Sequence, residues 1–387
     1  MRNSSVIFAL LLFLFSLVRA WAGGDIHPLT LRGYVKEMPS LNILHGRHDV
    51  RLINLIHNRL NMKYAPAVNW EYRFEVRNRI FLGDVNAVGM DFGNRVSYDP
   101  GLADLGFLWV DKSSMVMTTA IDRMMVRYNN DDFTCTVGRQ RINWGINTVW
   151  NPLDLFNAYN FIDFDYEERP GSDALRLQFS GGGFSTLELA MKYGRNFEKP
   201  VYAGLFRSNF KSYDWQFLGG FYEDDLVLGA GWAGPLRDAG FKGEVARFKV
   251  VRDKAVRSDV FTWSVSLDYS FSHQWLGTIS VLYNDNSSLL QRAGFIGVDN
   301  LLSAKQLMPF RWSFYSGCNK QFNPVFSGSL AVVYAPEKNS TIVLPSLLCN
   351  VRKNFDLDLT AQAFFEQQNA VYRALSASAF LRMRWSY

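Results

Sequence analysis

The stretch Asn69–Arg79, NWEYRFEVRNR, alternates almost without a slip. Trp70, Tyr72, Phe74 and Val76 fall on one parity, and Glu71, Arg73, Glu75 and Arg77 on the other. A strand, with its two-residue period, places those sets on opposite faces. One face is aromatic and apolar, and the other is a ladder of alternating charge. The reading of the chain turns on whether the rings meet a protein core or lipid.

The same period recurs on either side. In TWSVSLDYSF (262–271), Trp263, Val265, Leu267, Tyr269 and Phe271 oppose a set of serines, Thr262 and Asp268. Gly181-Gly182-Gly183, Glu223-Asp224-Asp225 and Asn129–Asp132 each sit between two such segments, as hairpin turns do. Asp122 breaks the parity of Val116–Val126 and is expected at an interface or a bulge. Roughly 14–18 segments of this kind occur, many of them 9–12 residues long. That length suits a strand tilted across a bilayer, about 9–11 residues, better than the about 5–6 residues common in soluble proteins.

The first residues show where the chain goes. Met1-Arg2, the apolar run Val6–Val18 and Ala20-Trp21-Ala22 form the n-region, h-region and cleavage site of a secretory signal peptide, residues 1–22. No later run of 18 apolar residues could form a membrane helix. The mature chain, 23–387, is then either free or a closed β-barrel, the other structure able to span a bilayer. No composition shift divides it, so one domain is expected. Aromatic residues make up 15% and charged residues 20%, and the net charge of +5 falls to +3 without Arg2 and Arg19. That balance gives no argument for nucleic acid. Cys135, Cys318 and Cys349 are too few and too scattered for a disulfide framework or a zinc site, and small apolar roles, buried or facing lipid, are expected.

Several rings, among them Trp70, Trp263, Trp275, Trp385, Tyr128, Tyr193 and Tyr222, lie near segment ends, as in the girdles of membrane barrels. The last strand adds to this. Ala379, Leu381, Met383, Trp385 and Tyr387 share one parity, against Phe380, Arg382, Arg384 and Ser386. It resembles the C-terminal strand of bacterial outer-membrane proteins, whose aromatic end is the signal for the barrel-assembly machinery; Tyr387 stands where those proteins usually carry Phe. The resemblance implies an all-β fold: a single closed antiparallel transmembrane β-barrel of about 16 strands (range 14–18) in the bacterial outer membrane.

The charged parities then face the lumen, because Lys or Arg on the lipid face at the midplane costs about 2–4 kcal/mol. Pore-lining candidates are Glu71, Arg73, Glu75, Arg77, Arg123, Arg127, Arg382 and Arg384. A barrel of this size holds an aqueous channel unless something fills it. One segment, 138–173, is too irregular for strands and too long for a turn, and ordered loops of that length are commonly functional. Folded into the barrel mouth, it would constrict the pore, with Arg139, Arg141, Trp144, Asp163, Asp165, Glu167, Glu168 and Arg169 as candidates; packed outside, it would cap the rim. Its Gly138-Arg139-Gln140, Trp144-Gly145 and Asn151-Pro152-x-Asp154 resemble a stretch of porin-like barrels, including families linked to polysaccharide export or solute uptake.

Enzymatic chemistry finds no support in the motifs. No His-x-Ser, H-E-x-x-H or G-x-S-x-G is present among the five histidines and the serines. No cofactor or metal is expected. The sequence favours a passive channel for small hydrophilic or carbohydrate-type solutes, with a weak anion preference. The alternatives are a filled barrel with a surface role in organising polysaccharide and, behind it, a barrel enzyme. The oligomeric state is left open.

Overall fold

A computed structural model describes residues 28–44, 49–85, 91–157, 171–251, 258–285, 303–368 and 371–387. The expected signal peptide, 1–22, lies outside them. The described residues form nineteen strands: β1 (Leu29–Leu44), β2 (Asp49–Ala67), β3 (Trp70–Gly83), β4 (Gly106–Lys112), β5 (Met115–Asn129), β6 (Phe133–Gln140), β7 (Ser172–Ser180), β8 (Thr186–Lys192), β9 (Val201–Phe210) and β10 (Tyr213–Tyr222). They continue as β11 (Asp225–Leu236), β12 (Ala239–Val250), β13 (Val260–Phe271), β14 (Trp275–Asn284), β15 (Trp312–Asn323), β16 (Phe326–Ala335), β17 (Ser340–Arg352), β18 (Phe355–Gln368) and β19 (Val371–Ser386).

Eighteen of these form one antiparallel ring, each paired with its neighbours and β1 paired with β19, Tyr34 opposite Ser386. Closure leaves no long free edge for another chain to pair with. At the seam, Gly33 and Tyr387 exchange both backbone hydrogen bonds, at 3.0 and 2.9 Å. β4 stands outside the ring. It takes the edge of β5 along Met115–Ala120, and β6 takes that same edge along Met124–Asn129. The ring therefore sits at the upper end of the expected range.

The alternation read from the sequence is the pleat of this wall. Directly paired residues share a face, so Leu41 with Leu52 and Phe217 with Phe206 point outward and are exposed. Outward rings meet in pairs at both ends: Trp70 with Tyr128 (5.1 Å), Phe133 with Phe179 (5.2 Å) and Trp385 with Tyr387 (5.5 Å) at one, Tyr283 with Trp312 (4.9 Å) and Phe365 with Tyr372 (5.9 Å) at the other. Tyr222 departs from the girdle reading. It points inward, 5.6 Å from the ring of Phe248. Asp122 is a bulge: Glu75 pairs with Arg123 and Val76 with Ile121, so Asp122 is the extra residue between them. Among the described residues no helix is long and apolar enough to cross a membrane.

The two ends differ. Both ends of the ring's chain, at β1 and β19, lie with short connections such as 68–69, 130–132, 211–212, 237–238 and 353–354. The opposite end carries the long segments 84–105, 141–171 and 285–311. Short turns on one side and long loops on the other is the asymmetry of outer-membrane barrels.

Candidate functional site

The inner wall is polar and dense with charge. In the sector of β2, β3 and β5, Arg59 is fully buried between two carboxylates, with Nη1 2.5 Å from Asp122 and Nη2 2.6 Å from Glu75. Arg77 donates to the other oxygen of Asp122 at 2.9 Å. Toward the short-turn end, Glu71 gathers Lys63 (2.7 Å), Arg73 (2.5 Å) and Arg127 (3.7 Å). Across β7, β8 and β9, Glu188 holds Arg176 through two bonds of 2.9 Å and lies 3.8 Å from Arg207. Lys242 pairs with Asp268 at 3.0 Å, and Arg382 with Asp358 at 3.0 Å. Each group joins a cation and an anion on neighbouring strands, directly opposite for Arg127–Glu71 and Arg382–Asp358 and on the diagonal for Arg176–Glu188 and Lys242–Asp268, so the charges brace the wall from its inner side.

All eight pore-lining candidates belong to this inner parity. Arg123 and Arg127 stand opposite Glu75 and Glu71 on the neighbouring strand, and Arg384 lies opposite Lys36 with its guanidinium 4.6 Å from the ring of Tyr34.

Three segments fold inward from the long-loop end. The first, around α1 (Phe92–Ser97), packs Phe92 and Val96 against Met38, Leu55, Phe81 and Val116 of the wall. The second, 141–157, crosses to the far wall. Glu244 on β12 accepts backbone N–H groups of Ile146 (2.5 Å), Asn147 (2.8 Å) and Leu153 (2.9 Å). Asn147 donates to Ser264 at 2.6 Å, Ser264 to the carbonyl of Trp150 at 2.7 Å, and Gln216 to the carbonyl of Trp144 at 3.0 Å. The indole N–H of Trp144 donates to Glu188, and the ring packs edge-on against Phe156. Three backbone donors of the loop thus end on one wall carboxylate, which seats it on the sheet. The third segment, 303–311, buries Leu307, Met308 and Phe310 against Trp150, Leu282 and Ile342. Its Lys305 pairs with Asp225 and lies 5.0 Å from the ring of Tyr222.

The candidates of the second segment separate. Trp144 is buried in it and Arg141 is exposed. Arg139 is not on the loop: β6 runs through Gln140, and Arg139 is a wall residue tied to Asp173 (2.7 Å) and Asp99 (2.5 Å). Asp163, Asp165, Glu167, Glu168 and Arg169 fall outside the described residues. The segments around α1 and 303–311 were missed by sequence reading. For 303–311 a signal existed in the apolar cluster of SAKQLMPF between two strands; for α1, a six-residue helix, the pattern is too short to show.

Below the infolded segments, cavities line the wall near the short-turn end. One of about 460 Å³ is bounded by Glu71, Arg127, Thr134, Arg176 and Gln178. A second, of about 710 Å³, reaches from Ile146 to Arg207 and Gln216, and a third, of about 400 Å³, is bordered by Asn319, Ser329, Ser346 and Asp358.

Neither a protein-family model nor a curated protein matches the chain. Solved structures do. It is similar to OccAB1 of Acinetobacter baumannii, at 11% identity over 95% of this chain and 98% of that one, with a TM-score of 0.60. It is similar to OccK5 (OpdH) of Pseudomonas aeruginosa, at 8% identity over 94% of this chain and 100% of that one, with a TM-score of 0.59. OccAB4 of Acinetobacter baumannii gives 11% identity, 93% and 98% coverage and a TM-score of 0.59. At such identities the likeness is one of fold, and it runs along nearly the whole chain. The ring and its wet interior have the architecture of a membrane-spanning barrel. In particular, the chain has the fold of the Occ/OprD outer-membrane porins.

Proposed function

We propose that the protein is a channel of the bacterial outer membrane through which small hydrophilic solutes pass passively. One observation carries the reading. The ring is apolar outside and charged inside, and the segments folded into it at 141–157 and 303–311 are tied to the wall carboxylates Glu244, Glu188 and Asp225. Such a lumen narrows without drying, and its paired charges set a local field on solutes, as in selective pores. Basic side chains outnumber acidic ones around Glu71 and Glu188, which supports a weak preference for anionic over cationic solutes. Carbohydrate-type solutes suit the same wall by analogy only.

In this reading residues 1–22 direct export and are removed, leaving 23–387 as the barrel, surrounded by outer-membrane lipid. Tyr387 at the end of β19 serves the barrel-assembly machinery before closing the seam on Gly33. The decisive measurement is single-channel conductance of the purified protein in planar bilayers. Discrete ohmic steps are expected. Silence from a folded barrel would favour the second reading, a filled barrel with a surface role, for which the three apolar clusters inside the ring are the supporting observation.

A further inference from the structure

Away from the strand ends, the amide and carboxylate side chains on the outer face of the described strands gather in one sector. The side chains of Asn58 on β2 and Asn78 on β3 are joined by a hydrogen bond of 3.2 Å. Asn58 donates to the hydroxyl of Tyr387 at 3.2 Å, and that ring lies across Gly33, where a Cβ would strike it. Thr119 on β5 donates to Asn78 at 2.7 Å, and the indole of Trp109 on β4 donates to Thr119 at 2.9 Å. The result is a continuous polar row across β19, β1, β2, β3, β5 and β4. Because strands in such barrels tilt by about 35–45°, a row running strand to strand climbs from one rim toward the other. Beside it, Asn54 donates to the exposed Glu37 at 2.9 Å, while the Oδ1 of Asn54 is buried with no partner. Next to the row, on β18 and β19, Ala361 faces Ala379 and Ala363 faces Ala377 on the outer parity.

Hydrocarbon offers such a row neither donors nor acceptors. Small side chains let a second wall approach closely. We propose that this sector, β18 through β3, docks a second copy of the chain in the membrane. The inference rests on the reading above that the outer face meets lipid. The occupant follows from self-complementarity. Asparagine carries both donors and acceptors, so a two-fold contact brings Asn54 of each copy to Glu37 of the other, as an isologous interface requires. Size agrees as well. The five strands β18, β19, β1, β2 and β3, about 4.8 Å apart over a band about 25 Å tall, present about 600 Å², of the same order as the about 800 Å² per partner of a standard interface.

The test replaces Cys135, Cys318 and Cys349 by Ala and adds Asn58→Cys or Asn78→Cys on the row, or Leu228→Cys on the distant β11. Oxidation of intact outer membranes is expected to convert most of the row variants to a species of twice the mass and to leave the Leu228→Cys chain single. Native mass spectrometry of the unaltered protein in lipid nanodiscs is expected to give at least two copies. The variant Asn54→Leu/Asn58→Leu/Asn78→Leu is expected to give one copy while keeping the heat-modifiable gel migration of a closed barrel. A single-copy mass in nanodiscs overturns the proposal, as does equal crosslinking at Leu228→Cys, or an adduct with a different polypeptide. If the triple variant does not fold, the mass and crosslinks decide. Conductance is read separately, so a silent barrel that pairs and a conducting barrel that stays single are distinct results.

Discussion

Replacing Glu244 by Ala isolates the seat of segment 141–157. The carboxylate is buried and receives three backbone N–H groups, from Ile146, Asn147 and Leu153, at 2.5, 2.8 and 2.9 Å. Hydrogen bonds to a charged group contribute about 1.5–3 kcal/mol each, and a buried donor left without a partner costs about 1–3 kcal/mol. Three such bonds bound the loss at about 4.5–9 kcal/mol; water entering from the lumen and the remaining ties to Ser264, Gln216 and Glu188 reduce it to about 3 kcal/mol. That still raises the population of the released loop by about two powers of ten. In planar bilayers the Glu244→Ala channel is expected to show larger and noisier open steps than the parent. Amide exchange at Ile146, Asn147 and Leu153 should accelerate in parallel, with the barrel still migrating as a closed form on unheated gels. Glu244→Gln, which keeps one strong acceptor, should fall between. Parental conductance, noise and exchange rates in Glu244→Ala would refute the claim that this carboxylate holds the loop in the lumen.

Other perturbations probe the wall itself. Arg59→Met leaves Glu75 and Asp122 facing one another without the guanidinium between them; breaking a buried pair this way costs about 3–5 kcal/mol, read as a lower urea midpoint for refolded barrel. Glu71→Gln frees Lys63, Arg73 and Arg127 from their shared carboxylate, so the reversal potential in a salt gradient should move toward anion selectivity, and less so at high salt. An unmoved potential would place those side chains away from the ion path. Lys305→Met removes the partner of Asp225 while retaining the apolar stem beside Tyr222 and Phe248; proteolysis within 303–311 should become faster while that of the short turns stays unchanged.

Much of the barrel was legible because each strand obeys two solvents at once. In Trp70–Arg77 and Thr262–Phe271 the polar parity points into the barrel, onto lumen charges or onto the polar backbone of segment 141–157, and the apolar parity points out, so the period of two survives in the sequence. Legibility fails where a face meets something else. In β16 and β17 both parities are apolar, since Val333, Ala335 and Ile342 point inward onto segment 303–311. In β2 the outer parity carries Asn54 and Asn58, which blurs the contrast. Counting strands from alternation therefore centred on sixteen rather than eighteen. The site was legible as a set of charges, because the lumen is the one place a membrane barrel can keep them. Their partners were not: nothing in the neighbourhood of Glu244 in sequence marks it as the anchor of residues about a hundred positions earlier. Arg139 shows the converse, a charged residue beside a distinctive loop whose real task is to tie β6 to Asp99 and Asp173.

All three inward-folding segments enter from the long-loop end, and the three cavities open toward the short-turn end. In the proposed channel the path is thus a funnel, throttled near one membrane face and flared at the other. A charged funnel rectifies: ions collect in the flared, Arg-lined side under one polarity and are depleted from it under the other. Inserted in a single orientation, the barrel should carry unequal currents at equal and opposite voltages.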